Sequence, residues 1–369
     1  MTQVAQEPVT GANGVQGKAF APEYQGALGS LSVNSSLDDV LAKGIEELRA
    51  AEEAGEQEEM ARCGVAVAEA YRRLGRIAEA DRAWKASYRA ARSADDVGAM
   101  AWAVWSGGTL ARQRGAFSLA YRLLGLAAEL GKQGDDVVAR GYSLAGLAET
   151  GRIQGDYQAV GELHEQLLAE ARSRGEARHT VWALEGIAQM HRNTGSYDTA
   201  LALFEEAAET AGTADDVRGR AWALRGIADV VSVRDGDAER ALALLSEAEL
   251  DCRRMNLPSA LAYNHKMRGN VLYRAGRYPE ARDTYIHALD EFSSMDEPRG
   301  TALSRLGLAK SLARLGRDRS ETAAELAALR DALDRIGLRH AREMVGKAAA
   351  ELGVGPLPGE PTTTAETPR

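Results

Sequence analysis

From Leu37 to Leu352 apolar residues return every three or four positions, the spacing that gathers them on one helix face. The runs are interrupted at a fixed interval by glycine: Gly75, Gly115, Gly155, Gly195, Gly236, Gly276 and Gly316, at steps of 40, 40, 40, 41, 40 and 40 residues. A period in this range marks a stacked helical repeat. Each interval holds two helical stretches, one ending just before the glycine and one starting just after it. Glycine suits the left-handed position that closes a helix. The joints between pairs carry their own signal. SADDV (93–97), QGDDV (133–137) and TADDV (213–217) place an aspartate where a helix N-cap belongs. In MNLPSA, Pro258 fits a first helical turn. A helix over 37–54, capped by Ser36 or Asp38, precedes the pairs, and one over 339–352 follows them. The pattern predicts an all-α, right-handed superhelical solenoid of antiparallel helix pairs, with about seven repeats and capping helices, over residues 36–352. Residues 1–35 and 353–369 lack apolar periodicity and are expected to be disordered.

The same residue types return at the same offset from the glycine. Five positions after it stand Ala80, Ala120, Ala200, Ala241 and Ala281, small enough to let two helices cross closely. Nine after it stand Trp84, Leu124, Phe204, Leu245 and Tyr285. Seven before it stand Ala68, Gly108, Ala148, Ala188, Gly269 and Ala309. The segments RNTGSYDTALALFEEAAE (192–209) and YRAGRYPEARDTYIHALD (273–290) resemble the tetratricopeptide repeat family, by G-x-Y-x-x-A, a large residue, then Ala. The resemblance spans roughly residues 59–336. The forty-residue unit is similar to the long-unit subgroup used by bacterial signalling and regulatory proteins. The third unit departs from the pattern with Val160, His164 and Leu167, and the seventh is degenerate after Gly316.

Composition narrows the function. Net charge is −9 and no basic run occurs, which argues against nucleic acid as a partner. No apolar run approaches the length of a membrane span, so no membrane association is expected. The N-terminus, MTQVAQEP, carries no signal-peptide pattern. Cys63 and Cys252 read as buried thiols in a reducing cytoplasm, which sets the expected location.

The resemblance implies that the first helix of each pair lines a concave face that binds a partner. Thirteen residues before the glycine stand Trp102, Tyr142, Trp182 and Tyr263, with Trp222 joining once the inserted residue is allowed for. Three further on come Trp105, Glu185, Arg225 and Lys266; four more bring Thr109, Glu149, Gln189, Asp229 and Asn270. Such spacing puts each trio on one helix face. The aromatics either pack between neighbouring first helices or floor a groove beside these polar groups. An aromatic floor with a few placed polar groups is the make-up of a binding site. Arg192 joins this candidate site as a partner for the carboxylates. Lys266 and Asn270 resemble two donors of the clamp by which some family members hold a peptide C-terminus.

Catalytic signals are weak. No G-x-S-x-G and no phosphate loop occurs, and no cofactor is implied. No two of the histidines share metal-ligand spacing on one helix, so no zinc site is expected. His191 reads as a core residue. Glu149, Glu185 and Asp229 could act as acids in an aromatic pocket, or simply pair with Arg152, Arg192 and Arg225. Peptide-sensing regulators of this repeat class carry a DNA-binding helix-turn-helix, for which residues 1–35 are too short and polar. The leading expectation is a non-enzymatic scaffold holding a peptide or protein partner. The alternatives are a pocket for a small hydrophobic ligand, or an unusual enzyme, and a sensory protein acting through a partner.

Overall fold

The computed structural model describes residues 37–154, 157–335, 337–354 and Leu357. Sixteen helices and no strand occur among them. The first is α1 (Leu37–Ala54). Seven pairs follow: α2 (Gln57–Arg73) with α3 (Ile77–Ser93), α4 (Val97–Gln113) with α5 (Phe117–Gln133), α6 (Val137–Gln154) with α7 (Tyr157–Arg174), and α8 (Ala177–Thr194) with α9 (Tyr197–Thr213). Then come α10 (Val217–Arg234) with α11 (Ala238–Arg254), α12 (Pro258–Arg274) with α13 (Tyr278–Ser294), and α14 (Pro298–Arg314) with α15 (Arg319–Arg335), before α16 (Arg339–Leu352) ends the array.

The turns follow from their residues. Gly75, Gly195 and Gly316 hold φ of 76°, 87° and 96°, a region that a Cβ disfavours. Gly155 lies outside the described residues. At the other set of turns the two aspartates of each DDV divide the labour. Asp95, Asp135 and Asp215 adopt left-handed φ, which Asp tolerates better than most residues. Asp96, Asp136 and Asp216 are the N-caps, accepting from the N–H of Ala99, Ala139 and Gly219 at 2.8 Å. Pro258 stands in the first turn of α12, as its fixed φ favours. Asp38 is not a cap; it sits inside the first turn of α1, and its carboxylate accepts from the Asn256 amide. Ser36 lies outside the described residues.

Packing within and between pairs is knob against gap. Ala80, Ala120, Ala200, Ala241 and Ala281 are all buried, as their spacing predicts. The large residue nine after the glycine fills space left by a glycine on a first helix. A Cβ on Gly226 would meet the Phe204 ring at 2.3 Å, and one on Gly108 would meet Leu124 at 2.8 Å. In the third unit the knob is His164, fully buried against Gly186, and both ring nitrogens lack a hydrogen-bond partner. Burial pushes its pKa down to about 4, so the ring stays neutral. His191, expected in the core, is only half-buried. Cys63 and Cys252 are buried thiols, and neither is in a disulfide among the described residues.

The array does not run on as an open ribbon. Leu37 of α1 and Leu74 after α2 pack with Val217, Met255 and Leu257, from the start of α10 and the α11–α12 turn. Gly75 abuts Met295, where a Cβ would meet the side chain at 2.7 Å. A second seam lies further along. Phe117 of α5 and Ile153 of α6 join the core of α14, α15 and α16, and α16 touches α6 directly. Successive turns of the solenoid therefore lie against each other. Val354 and Leu357, in the stretch expected to be disordered, also pack on that C-terminal core, and Leu357 is buried.

Two outcomes are expected. Ala200→Leu overpacks a close crossing and should cost about 1–3 kcal/mol in denaturant unfolding. An unchanged midpoint would mean that the small residue does not sit at the crossing. Phe117→Ala should cost about 3–5 kcal/mol and speed amide hydrogen exchange in α15 and α16 as well as in α5. Exchange limited to α4–α6 would mean that the seam does not hold.

Candidate functional site

Every first helix from α2 to α14 turns one face inward, and because the turns meet, these faces surround a cavity of about 340 Å³. Aromatic groups form much of its wall: Trp105, Tyr142, Trp182, Trp222 and Tyr263. Three of them are joined edge to face. Trp105 and Tyr142 lie 5.3 Å apart between ring centroids, and Tyr142 and Trp182 lie 5.8 Å apart. Such contacts fix the rings before anything binds.

The charges around the cavity are unbalanced. Its guanidiniums are Arg72, Arg73, Arg112, Arg152, Arg178, Arg218, Arg225 and Arg299; its carboxyls are Glu149, Glu185, Asp229 and Glu297. Two of the carboxyls are held as anions. Burial raises Glu149, but Arg152 at 2.5 Å and Arg112 at 3.9 Å overcome it and bring its pKa to about 2. Burial likewise opposes Asp229, yet Arg192 at 2.7 Å and Arg274 at 2.8 Å hold it well below the usual carboxylate range. Glu185 is different. Burial raises its pKa to about 8, Arg225 only moderates this, and its Oε1 has no hydrogen-bond partner. It is a neutral acid in the wall. Glu297 is also raised by burial; it accepts from the Tyr263 hydroxyl at 3.0 Å, and the same hydroxyl accepts from Arg299 at 3.1 Å.

Of the candidate residues read from the sequence, Trp105, Tyr142, Glu149, Trp182, Glu185, Gln189, Trp222, Arg225, Asp229 and Tyr263 line this cavity. Trp102, Arg192, Lys266 and Asn270 do not. Trp102 is 1% exposed, packs on Trp105 and Tyr142, and donates its indole N–H to Asp136 at 2.8 Å across the joint to the next pair. For this residue the packing alternative holds. Arg192 stands behind the wall, against Asp229. Asn270 spends its carbonyl on the Tyr285 hydroxyl at 2.8 Å, and burial pushes Lys266 down to about 7. Neither lines the cavity, so the clamp resemblance does not reach its wall.

The residues that the sequence reading passed over are mostly arginines. Arg178 and Arg218 stand four positions before Trp182 and Trp222, and Arg299 stands four before Leu303, the equivalent position of α14. Extending the stripe one turn toward the helix N-terminus finds all three, since i and i+4 share a face. Arg72 stands three positions before its marker glycine, as Arg112 and Arg152 do, so the forty-residue period finds it; Arg73 carries no such signal. One further cluster lies away from the cavity. His265 of α12 meets His287 and Glu291 of α13, with ligand-capable atoms within 4.8 Å of one another. Histidine spacing along a single helix could not show this. Here His265 is bonded through Nδ1 to Glu291 at 2.8 Å.

Residues 179–249 match the tetratricopeptide repeat family model. Solved structures share the fold. A Rap protein complexed with Competence and Sporulation Factor is 13% identical, with a TM-score of 0.57, covering 86% of this chain and 97% of that one. A Rap conjugation gene regulator of the plasmid pLS20, in complex with a Phr peptide, is also 13% identical at TM-score 0.57, covering 81% and 78%. No curated protein matches the chain by sequence. No helix among the described residues is long and apolar enough to cross a membrane.

Glu185 makes stability depend on pH. Its folded pKa, about 8, lies above the ordinary 4.5. Between those values the unfolded chain has released the proton that the folded chain keeps, so stability falls as pH rises through this window. Glu185→Gln removes the term. Its melting temperature should match the parent at pH 5 and exceed it at pH 9, each kcal/mol being worth about 2–4 °C or less in a chain this long. An equal gap at both pH values would show that Glu185 is ionised throughout.

Proposed function

We propose that this chain, a tetratricopeptide-repeat protein, is a non-enzymatic binding protein that takes a short peptide segment into the cavity between its first helices. One observation carries the reading: the cavity wall joins fixed aromatics to buried polar atoms that have no hydrogen-bond partner among the described residues. These atoms include Trp105 Nε1, Glu185 Oε1, Arg112 Nε and Arg218 Nε. Buried polar groups are costly unless bonded, so a wall of this kind suits an occupant with donors and acceptors of its own. A peptide backbone supplies both. The solved structures of similar fold, one of them in complex with a Phr peptide, lend support.

The meeting of successive turns sets the scale of the partner. A volume of about 340 Å³ sits at the small end of the range for ligand sites, roughly 300–1,000 Å³. It admits a peptide end or a few side chains, not a folded domain. The same volume favours a second reading, a small molecule with an apolar body and polar groups.

Retention of a mixed pentapeptide pool by the full chain, read by native mass spectrometry, separates the two readings. Selective retention of peptides supports the first. A tightly held non-peptide mass that excludes every peptide supports the second. Trp182, half-buried in the wall, is the apolar anchor. Trp182→Ala should weaken binding by about 2 kcal/mol, roughly thirtyfold, and leave folding nearly unchanged. Trp102→Ala should do the reverse, costing about 3–5 kcal/mol of stability. Glu79→Ala, on outer helix α3, should change neither. Equal binding by the Trp182→Ala protein and the parent would remove the cavity from the mechanism.

A further inference from the structure

Arg73, Arg178 and Arg218 come from helices distant in sequence, α2, α8 and α10, and all line one part of the cavity beside Tyr142. Arg178 and Arg218 are each 5% exposed. The anions around them are already engaged. Asp216, fully buried, caps α10 through the Gly219 N–H and pairs with Arg178. Glu69 bonds Arg72 at 2.7 Å and the Ser106 hydroxyl at 2.9 Å, and lies 3.5 Å from Arg73. Arg218 is left with no anion of its own, only a share in the charge of Asp216 beyond ion-pair reach. Among the described residues its side chain makes no ion pair, its Nε has no hydrogen-bond partner, and its guanidinium lies 5.8 Å from the Trp222 ring centre. The Arg178 guanidinium lies 5.2 Å from the same ring. Burial, reinforced by Arg178 and Arg73, pulls the Arg218 pKa well below its ordinary value.

A guanidinium buried beside two others, without an ion-pair partner of its own, is strained by desolvation and by like-charge repulsion. Arginine presents a planar fork of donors that matches the oxygens of a carboxylate or phosphate. Folding therefore holds open a place whose missing partner is an anion.

We propose that Arg73, Arg178 and Arg218 form an oxyanion-binding subsite, and that it receives a carboxylate of the bound peptide, at its C-terminus or on an acidic side chain. The inference rests on the peptide reading above. It uses neither Lys266 nor Asn270. It requires the seam, because Arg73 reaches Arg178 and Arg218 only when α2 closes against α10–α12. The Trp222 ring steers the two guanidiniums beside it, and Trp182 and Trp105 take the adjoining apolar groups.

The test uses the full chain and three pentapeptide pools. The first has free C-terminal acids, the second C-terminal amides, and the third amides with no Asp or Glu. Retention is read by mass spectrometry, and inorganic phosphate is a separate probe, read by melting temperature. Acid-ended or acidic peptides should be retained at least tenfold over the acid-free amides. The first two pools tell a terminal from a side-chain carboxylate. Arg218→Gln should abolish the preference while melting no lower than the parent, because it removes a repelled charge. That second readout excludes simple unfolding. Acid-free amides bound equally well, with Arg218→Gln unchanged, would overturn the subsite and leave the peptide reading standing. Phosphate stabilisation that Arg218→Gln abolishes, with no peptide retained, would keep the subsite and sink the peptide reading. No response to any probe would sink both.

Discussion

The contact between successive turns of the solenoid decides what kind of protein this is. Leu37 and Leu74 meet Val217, Met255 and Leu257 at one seam, and Phe117 and Ile153 meet α14–α16 at the other. Without these apolar contacts the inward faces of the first helices would line a broad groove. With them, the same faces surround a cavity, and side chains from α2 stand near side chains from α8 and α10. A repeat protein is usually stabilised by neighbour contacts alone. Here contacts distant in sequence add to those, so the stability of the C-terminal helices is tied to that of α5 and α6.

Closure also explains the electrostatics. A carboxylate on an open groove would keep much of its hydration, and its pKa would move little. Inside the cavity, burial drives Glu185 up to about 8 while Glu149, beside Arg152, falls to about 2. Two glutamates at the same wall thus carry different charge, and the difference is set by whether a guanidinium is within ion-pair reach. The surplus of arginine over ionised carboxylate gives the interior a sign opposite to the chain's net −9. The outer surface and the cavity wall of this chain thus carry opposite signs of charge.

Much of this was legible in the sequence. The glycine period set the helix pairs, and the residue offsets set the crossings, because each repeat solves the same packing problem with the same residue types. The stripe on the first helices placed Tyr142, Trp182, Trp222 and Glu185 correctly on the inward face. What the sequence hid depends on geometry between units. Trp102 and Trp182 occupy equivalent positions, yet one is sealed under Trp105 and Tyr142 and the other faces the cavity. Asn270 shares the stripe's register yet lies outside the cavity wall. Arg73 stands near Arg178 and Arg218 across a seam that no local period encodes. Val354 and Leu357 dock because α16 offers an apolar face, which their own Gly- and Pro-rich surroundings do not reveal.

Hydrogen exchange on the chain loaded with its retained peptides measures the central claim most directly. The closed cavity predicts that one short ligand slows exchange in α2, α8 and α10 together, although α2 lies far from the others in sequence, and leaves outer helices α9 and α11 unchanged. Protection confined to neighbouring repeats, or centred on the outer helices, would contradict it.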